Sequence, residues 1–154
     1  MIAYGSIREV TIPFDMVINN LPRELHRKGF DVLSVTHLDS ELKKHLGIEF
    51  KRYSVFSVVN LTLTYKALSK EENFGVMIPC NLIVYEKDGV TVIGALRPTQ
   101  FMQLVNNENL SQGASVIERK LNEVLERMSK LKIKEKDIAG TGHLQETKYE
   151  RAVA

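Results

Sequence analysis

The residue with the clearest chemical potential is Cys80, the single cysteine of the chain. Pro79 fixes the backbone before it, and Asn81 brings a side-chain amide directly after it. A cysteine held in this way at the mouth of a pocket could act, as a thiolate, as a nucleophile or as a soft metal ligand. Free cysteine is also among the residue types most often buried, so packing in the core is the competing interpretation.

Two asparagines, Asn60 and Asn81, lie inside apolar runs that favour strands, where amides are uncommon and need hydrogen-bond partners when buried. We expect both to line one polar pocket with Cys80. Pro79 interrupts a strand just before the thiol, which leaves backbone groups that an asparagine could satisfy. The alternative is structural, with each amide capping a loop or pairing with the broken strand. On the first interpretation, Cys80 is partly accessible and close to Asn60.

His37 is the only histidine on a predicted strand, so it is the candidate base for a reactive Cys80. A half-exposed histidine without a catalytic task is the alternative. No histidine has a zinc-binding spacing with Cys80, and Met77 and Cys80, three apart on a strand, would point to opposite faces. We therefore predict no metal site, with copper(I) shared by Cys80 of two subunits as the remaining alternative. The residues do not identify a cofactor.

Composition limits the class of protein. A chain of 154 residues that is 44% hydrophobic can fold as one domain without disulfides or a structural metal. The lone cysteine, the absence of a signal-peptide pattern at residues 1–6 and the absence of a long apolar run predict a cytoplasmic protein that makes no membrane contact. The net charge of +2 is too close to balance to predict binding to nucleic acid.

The strands are predicted from short β-branched and aromatic runs. They cover Arg8–Ile12, Phe30–Leu38, Tyr53–Leu61, Gly75–Glu86 and Val90–Leu96. In Phe30–Leu38 strict alternation would put Val32 and Ser34 on one face and Leu33 on the other. Lys87-Asp88-Gly89 predicts a tight hairpin between the last two strands.

The helices are predicted between these strands. Pro13 precedes the first one, which Pro22 should kink or divide and Gly29 should end. Short helices follow, one around Leu42 and one capped by Thr62. An apolar stripe on Ser111–Leu131 predicts a long helix that covers one face of the sheet. The order β-α-β-α-β-α-β-β-α favours an α+β fold, with a mainly antiparallel sheet and helices packed against it.

Several segments resemble the family called domain of unknown function 302, DUF302. The longest of them is Gly75–Glu86, which reads G-V-M-I-P-C-N-L-I-V-Y-E. The other similar segments are the strand start Gly29–Leu33, the helix exit at Leu46–Phe50 with Tyr53, and the helix Tyr65–Leu68. Together the matches extend from about Ser6 to Leu131.

The resemblance implies a compact α+β fold that is often dimeric and has no established activity. It assigns residues 1–131 to one domain and leaves residues 132–154 as a C-terminal extension that could pack on a partner subunit. Where family members commonly read Cys-Asn-Pro, this chain has Val59-Asn60-Leu61. The missing thiol argues against a dithiol redox pair or a two-cysteine metal clasp within one chain.

These observations support three hypotheses of function. The first is a homodimeric domain that binds a small molecule in a pocket near Asn60, Cys80 and Asn81. The second is an enzyme with Cys80 as nucleophile and His37 as its base. The third is an oligomerising scaffold, without a small-molecule site, whose long helix and tail form the interface. The surroundings of Cys80 distinguish them, because a sealed apolar site favours the scaffold and a cleft with a nearby base favours the enzyme.

Overall fold

The computed structural model describes residues 2–134. The strands in this part are β1 (Gly5–Val10), β2 (Asp31–His37), β3 (Tyr53–Val59), β4 (Cys80–Lys87) and β5 (Val90–Leu96). The α-helices are α1 (Phe14–Arg27), α2 (Leu38–Leu46), α3 (Leu61–Lys70), α4 (Pro98–Val105) and α5 (Glu108–Ser129), and a 3₁₀ helix covers Glu72–Met77. The predicted extension at 132–154 lies mostly outside the described residues, so its packing on a partner stays a prediction.

The strands form one sheet in the order β1-β5-β4-β3-β2, and every neighbouring pair is antiparallel. The predicted α+β fold class is therefore confirmed. The β4–β5 hairpin closes through Asp88 and Gly89, whose φ angles of 51° and 78° are the left-handed values that a two-residue turn with Asp-Gly favours. This hairpin fixes the register of the central strand β4 with its neighbour β5.

Helices α1 and α5 pack against the same face of the sheet and bury the main core. The sheet contributes Phe56, Leu82 and Ile93, each fully buried, and the helices contribute residues such as Leu25 and Leu121. The buried residues of α5 recur at the helical spacing of the predicted apolar stripe. The apolar face of the long helix is therefore buried within the chain. It is not available for the subunit interface that the scaffold hypothesis assigned to this helix.

The first helix is one continuous element through Pro22, so the predicted division of the helix at this proline does not occur. Its end is as predicted, because Gly29 has a φ angle of +82° and the Phe30 amide donates back to the carbonyl oxygen of Leu25. The packing of Val17, Leu21 and Leu25 in the core is continuous on both sides of the proline. Tertiary packing thus outweighs the hydrogen bond that Pro22 cannot make.

Two strand predictions were wrong in detail. A bulge between Val32 and Ser34 breaks the alternation in β2, so Val32 and Val35 are both buried and the Leu33 side chain is 51% exposed. The expected strand Gly75–Glu86 begins only at Cys80, because the 3₁₀ helix occupies Glu72–Met77. Pro79 has no N–H to donate to a ladder, which is consistent with strand pairing that starts after it.

No helix within residues 2–134 is long and apolar enough to cross a membrane.

Candidate functional site

A cavity of about 380 Å³ lies where the ends of β3 and β4 meet α3, α4, α5 and the 3₁₀ helix. It is bounded on one side by the main core and on the other by a small second cluster of Met102, Leu110 and Ala114. Its walls are mostly apolar. The strand ends and β5 contribute Val58, Val59, Asn60, Cys80 and Leu96; the segment from α3 to Ile78 contributes Leu63, Thr64, Lys66, Ala67, Lys70, Phe74, Met77 and Ile78; and the remaining lining residues are Phe30, Pro98, Phe101, Met102, Asn109, Leu110, Gln112, Gly113, Ala114, Val116 and Ile117.

Asn60 is the most deeply buried polar residue of the lining, with 8% of its surface exposed. Its Oδ1 accepts a hydrogen bond of 3.0 Å from the Leu63 amide and caps α3, a role that sequence reasoning gave to Thr62. The Nδ2 group of Asn60 has no acceptor among residues 2–134. One half of the side chain thus positions the helix, and the other half is free to donate to a bound molecule.

Cys80 is the first residue of β4 and pairs with Val58, two residues before Asn60. It is half-buried, packs against the main core and lines the same cavity as Asn60. Burial raises the pKa of the Cys80 thiol to about 11, because the apolar surroundings penalise the thiolate. At neutral pH the residue is therefore a thiol that packs as a small apolar group.

His37 and Asn81, the other two predicted site residues, are not among the lining residues of the cavity. His37 pairs with Ser54, and its Nδ1 lies 2.7 Å from the Ser54 Oγ. Ser54 is four residues from the partner of Cys80, about 13 Å along β3. Asn81 points away from the cavity on the exposed face of the sheet, where its Oδ1 accepts a bond from the Ser57 hydroxyl.

The wall formed by α3 and the 3₁₀ helix contains no fully buried residue. The side chains that α3 turns inward, such as Leu63 and Ala67, line the cavity instead of a close-packed core. Elements with few buried contacts open locally at low free-energy cost. This wall is therefore the part of the site best suited to admit a ligand.

The opposite wall is fixed by Glu118 on α5. Its carboxylate accepts hydrogen bonds from the Thr99 amide and from Arg97, both 3.0 Å long, which ties the start of α4 to α5. Burial raises the pKa of Glu118, but the bonds from Thr99 and Arg97 outweigh it and hold the pKa below its usual value. The carboxylate therefore stays ionised near neutral pH and keeps α4 in place.

Lys66 and Lys70 are the charged residues of the lining, and no carboxylate accompanies them. Both are exposed, and neither makes a hydrogen bond or ion pair within residues 2–134. In the same part of the chain, no group of three or more histidine, cysteine or acidic side chains could hold a metal ion. The arrangement is that of an apolar chamber with a neutral thiol, a free amide donor and positive charge at one wall.

Sequence reasoning missed most of this lining. The signals that could have located it were the weakly amphipathic helix Leu61–Lys70 and a glycine in the second turn of α5, Gly113, which lines the cavity and costs helix stability. Both signals concern helical segments outside the main core, namely α3 and the first part of α5, which precedes core residues such as Leu121. Residues on such helices are difficult to assign to a site from periodicity alone, because a cavity wall and a core face have the same pattern.

The raised pKa of Cys80 predicts slow alkylation at neutral pH. At pH 7 only on the order of one thiol in ten thousand would be ionised, so the rate with iodoacetamide should be low and rise about tenfold per pH unit until near pH 11. Unfolding returns the pKa to about 8.5, so denaturant should accelerate the reaction at pH 7 by roughly a hundredfold or more.

The raised pKa of Cys80 also makes the stability of the fold depend on pH. The unfolded chain ionises Cys80 first, so this group's contribution to stability is present below about pH 8.5 and is lost as the pH rises toward 11. For the alkylation measurement, the Cys80→Ser variant provides the background rate with iodoacetamide. If the alkylation rate of the native protein had its pH midpoint below 8.5, this would contradict the buried, neutral thiol and restore the nucleophile hypothesis.

Comparisons with known proteins extend over nearly the whole described fold. Residues 7–128 match the model of the family described as "Domain of unknown function DUF302". A solved structure, described as the crystal structure of uncharacterized conserved protein DUF302 from Bacillus stearothermophilus, is similar, with 26% sequence identity and a TM-score of 0.77. The similarity covers 82% of this chain and 99% of that one. No curated protein matches the sequence.

Proposed function

This chain belongs to the DUF302 family, whose function is unknown, and on that premise we propose that it binds a small, largely apolar molecule in the cavity beside Asn60 and Cys80. The observation that carries the proposal is the cavity itself. At about 380 Å³ it falls within the range of ligand pockets, roughly 300–1,000 Å³. Its apolar walls with a few polar groups have the composition of such pockets.

The size of the cavity argues against a packing imperfection. Protein interiors have few voids larger than a water molecule, and larger ones are costly to the surrounding core. The main core next to the cavity is closely filled, since Phe30 and Val58 on its wall are at most 1% exposed. An apolar ligand would supply the contacts that α3 lacks on its inner side.

The polar groups of the lining provide orientation. Asn60 Nδ2 offers a donor on the lining that also contains Cys80, and the hydrogen bond from the Leu63 amide to Oδ1 fixes the orientation of the side chain. A carbonyl or hydroxyl oxygen of the ligand could accept from it, which removes an unpaired polar group from an apolar site. Asn60 thus has a binding role as well as a capping role.

The cysteine-dependent enzyme is the weaker alternative. Burial raises the pKa of Cys80 to about 11, and the lining within residues 2–134 includes no histidine, aspartate or glutamate that could take its proton. Nucleophilic cysteines need a lowered pKa or a base within hydrogen-bond reach. Cys80 is better explained as part of the apolar wall.

A titration followed by methyl NMR tests the binding proposal. Addition of 1-decanol, a simple apolar probe, should shift the methyl signals of Met102 and Ile117, which line the cavity. Ile83 lies on the other face of the sheet and serves as the internal control. Shifts that fail to saturate, or that appear equally at Ile83, would show surface adsorption and contradict the proposal.

The predicted homodimer is supported by the uncovered face of the sheet. Ile7, Gly94, Ile83 and Val55 align across four strands, and the first three are in close contact, since a Cβ atom on Gly94 would lie 2.6 Å from Ile7. Beside them the Tyr53 and Tyr85 rings stack with centroids 5.3 Å apart. The Lys51 ammonium lies over the Tyr85 ring, 4.9 Å from its centroid. A second copy would bring an identical row of uncharged residues to Ile7, Gly94, Ile83 and Val55, as a twofold interface requires.

The dimer proposal predicts that Ile83→Asp produces a monomer, because a two-fold axis at this row would bury a carboxylate from each copy. Light scattering at micromolar and higher concentrations should give twice the chain mass for the wild type and the chain mass for the variant. Leu104→Asp, at a site 82% exposed on α4, is the matched control and should remain dimeric. A wild-type protein that is monomeric throughout would remove the proposal.

The cytoplasm is the proposed location. Its support is Cys80, which has no second cysteine in the chain to pair with. Secreted proteins seldom carry a lone free thiol, because oxidising compartments pair or modify it.

A further inference from the structure

The charged residues in the lining of the cavity all carry positive charge. Lys66 and Lys70 contribute to the lining, and no acidic residue does. Elsewhere on the described surface, some lysines, such as Lys28, Lys43 and Lys130, pair with glutamates at 2.5 to 2.9 Å, and others, such as Lys44 and Lys87, do not. The two cavity lysines have no such partner within residues 2–134.

The geometry of α3 places these charges at one end of the site. Lys66 and Lys70 are one helical turn apart and therefore lie on the same side of α3. Their stems contribute to the wall, and their side chains are exposed, so each ammonium group can remain in water at the rim while the stem contacts apolar atoms. Asn60 caps the other end of the same helix.

We propose that the ligand is a small amphipathic anion, with an apolar body inside the cavity and an anionic group at Lys66 and Lys70. This inference rests on the proposed binding function and specifies its ligand. Along α3, Lys66 and Lys70 are about 9 and 15 Å from Asn60, at a rise of 1.5 Å per residue. At roughly 30 Å³ per water-sized group, the cavity holds on the order of a dozen non-hydrogen atoms. The distances along α3 and the volume of the cavity both fit a ligand with an apolar chain of medium length and one charged end.

Calorimetric titration with three probes of equal chain length tests the charge preference. The probes are decanoate, 1-decanol and decylammonium, which share the apolar chain and differ in the head group. Decanoate should bind about tenfold more tightly than 1-decanol, and decylammonium more weakly than either. Added salt should reduce the advantage of decanoate, because the lysines are exposed. Decyl phosphate in place of decanoate shows whether the site prefers a carboxylate or a phosphate.

The double variant Lys66→Gln, Lys70→Gln should lower decanoate affinity to that of 1-decanol and leave 1-decanol affinity unchanged, which also shows that the variant is folded. The matched control is Lys44→Gln, Lys87→Gln, which removes two exposed lysines away from the cavity and should change neither affinity. Equal affinities for decanoate and 1-decanol, or a decanoate affinity that the double variant does not change, would overturn the anionic ligand while keeping the binding function. Absence of saturable binding by every probe would overturn both.

Discussion

Replacement of Leu121 by alanine is expected to lower the free energy of unfolding by about 2–5 kcal/mol. Leu121 lies in the middle of α5, is 1% exposed and packs in the main core between the helix and the sheet. Truncation there removes buried apolar atoms and leaves a space that neighbouring strands, fixed by ladders on both sides, cannot fill. Chemical denaturation followed by circular dichroism measures the change.

Arg119→Ala is the control for this prediction. Arg119 lies two residues earlier on the same helix, its side chain is 66% exposed, and within residues 2–134 it makes only a surface ion pair with Glu123. Such pairs contribute about 0–1 kcal/mol, so the control should unfold nearly as the wild type does. Comparable, small effects of both substitutions would mean that α5 does not cover the sheet.

Replacement of Gly113 by leucine is expected to reduce binding of 1-decanol by tenfold or more without loss of stability. The residues one turn before and after Gly113, among them Leu110 and Ile117, line the cavity, so a side chain at position 113 would enter it. A Cβ atom at Gly113 would meet no other atom within 4 Å. Removal of a glycine from within a helix also stabilises the helix by roughly 0.5–1 kcal/mol.

Ser115→Leu separates the filling of the cavity from the change in helix propensity. Ser115 is exposed on the same helix and does not line the cavity. This variant should bind 1-decanol as the wild type does. Undiminished binding by Gly113→Leu would place the ligand elsewhere and contradict the site.

Features with a strong local cause could be predicted from the sequence. Asp88-Gly89 gave the hairpin, because few residue pairs adopt two successive left-handed conformations. The stripe that includes Leu121 and Met128 gave α5 and its buried face, because it is long and regular. From these two elements and the alternation of strands with helices, the antiparallel α+β architecture follows.

Features that depend on tertiary contacts could not be predicted. The bulge after Val32 lets β2 bury both Val32 and Val35, and strict alternation cannot represent an extra residue. The capping of α3 by Asn60 rather than Thr62 depends on where β3 leaves the sheet. Likewise, periodicity gave no reason to expect a 3₁₀ helix at Glu72–Met77 before Pro79.

The candidate site likewise contains some residues that the local sequence predicts and others whose role depends on tertiary contacts. Asn60 and Cys80 attracted attention as unusual residues in apolar strands, and both line the cavity. The chemistry of His37 predicts a base for the thiol, but the register of β2 and β3 places this residue at Ser54, far from Cys80. Lys66 and Gly113 had no distinguishing local pattern, because their importance arises only when α3 and α5 face each other across an open space.

The most direct test of the account is native mass spectrometry of gently purified wild-type protein and Gly113→Leu, measured side by side before and after addition of excess 1-decanol. We predict that the wild type carries one small molecule per chain, either retained from the cell or supplied as 1-decanol, and that a much smaller fraction of Gly113→Leu carries one at the same 1-decanol concentration. The bare chain mass for the wild type even in excess 1-decanol, or the same fraction of adduct on both proteins, would contradict a ligand site in this cavity.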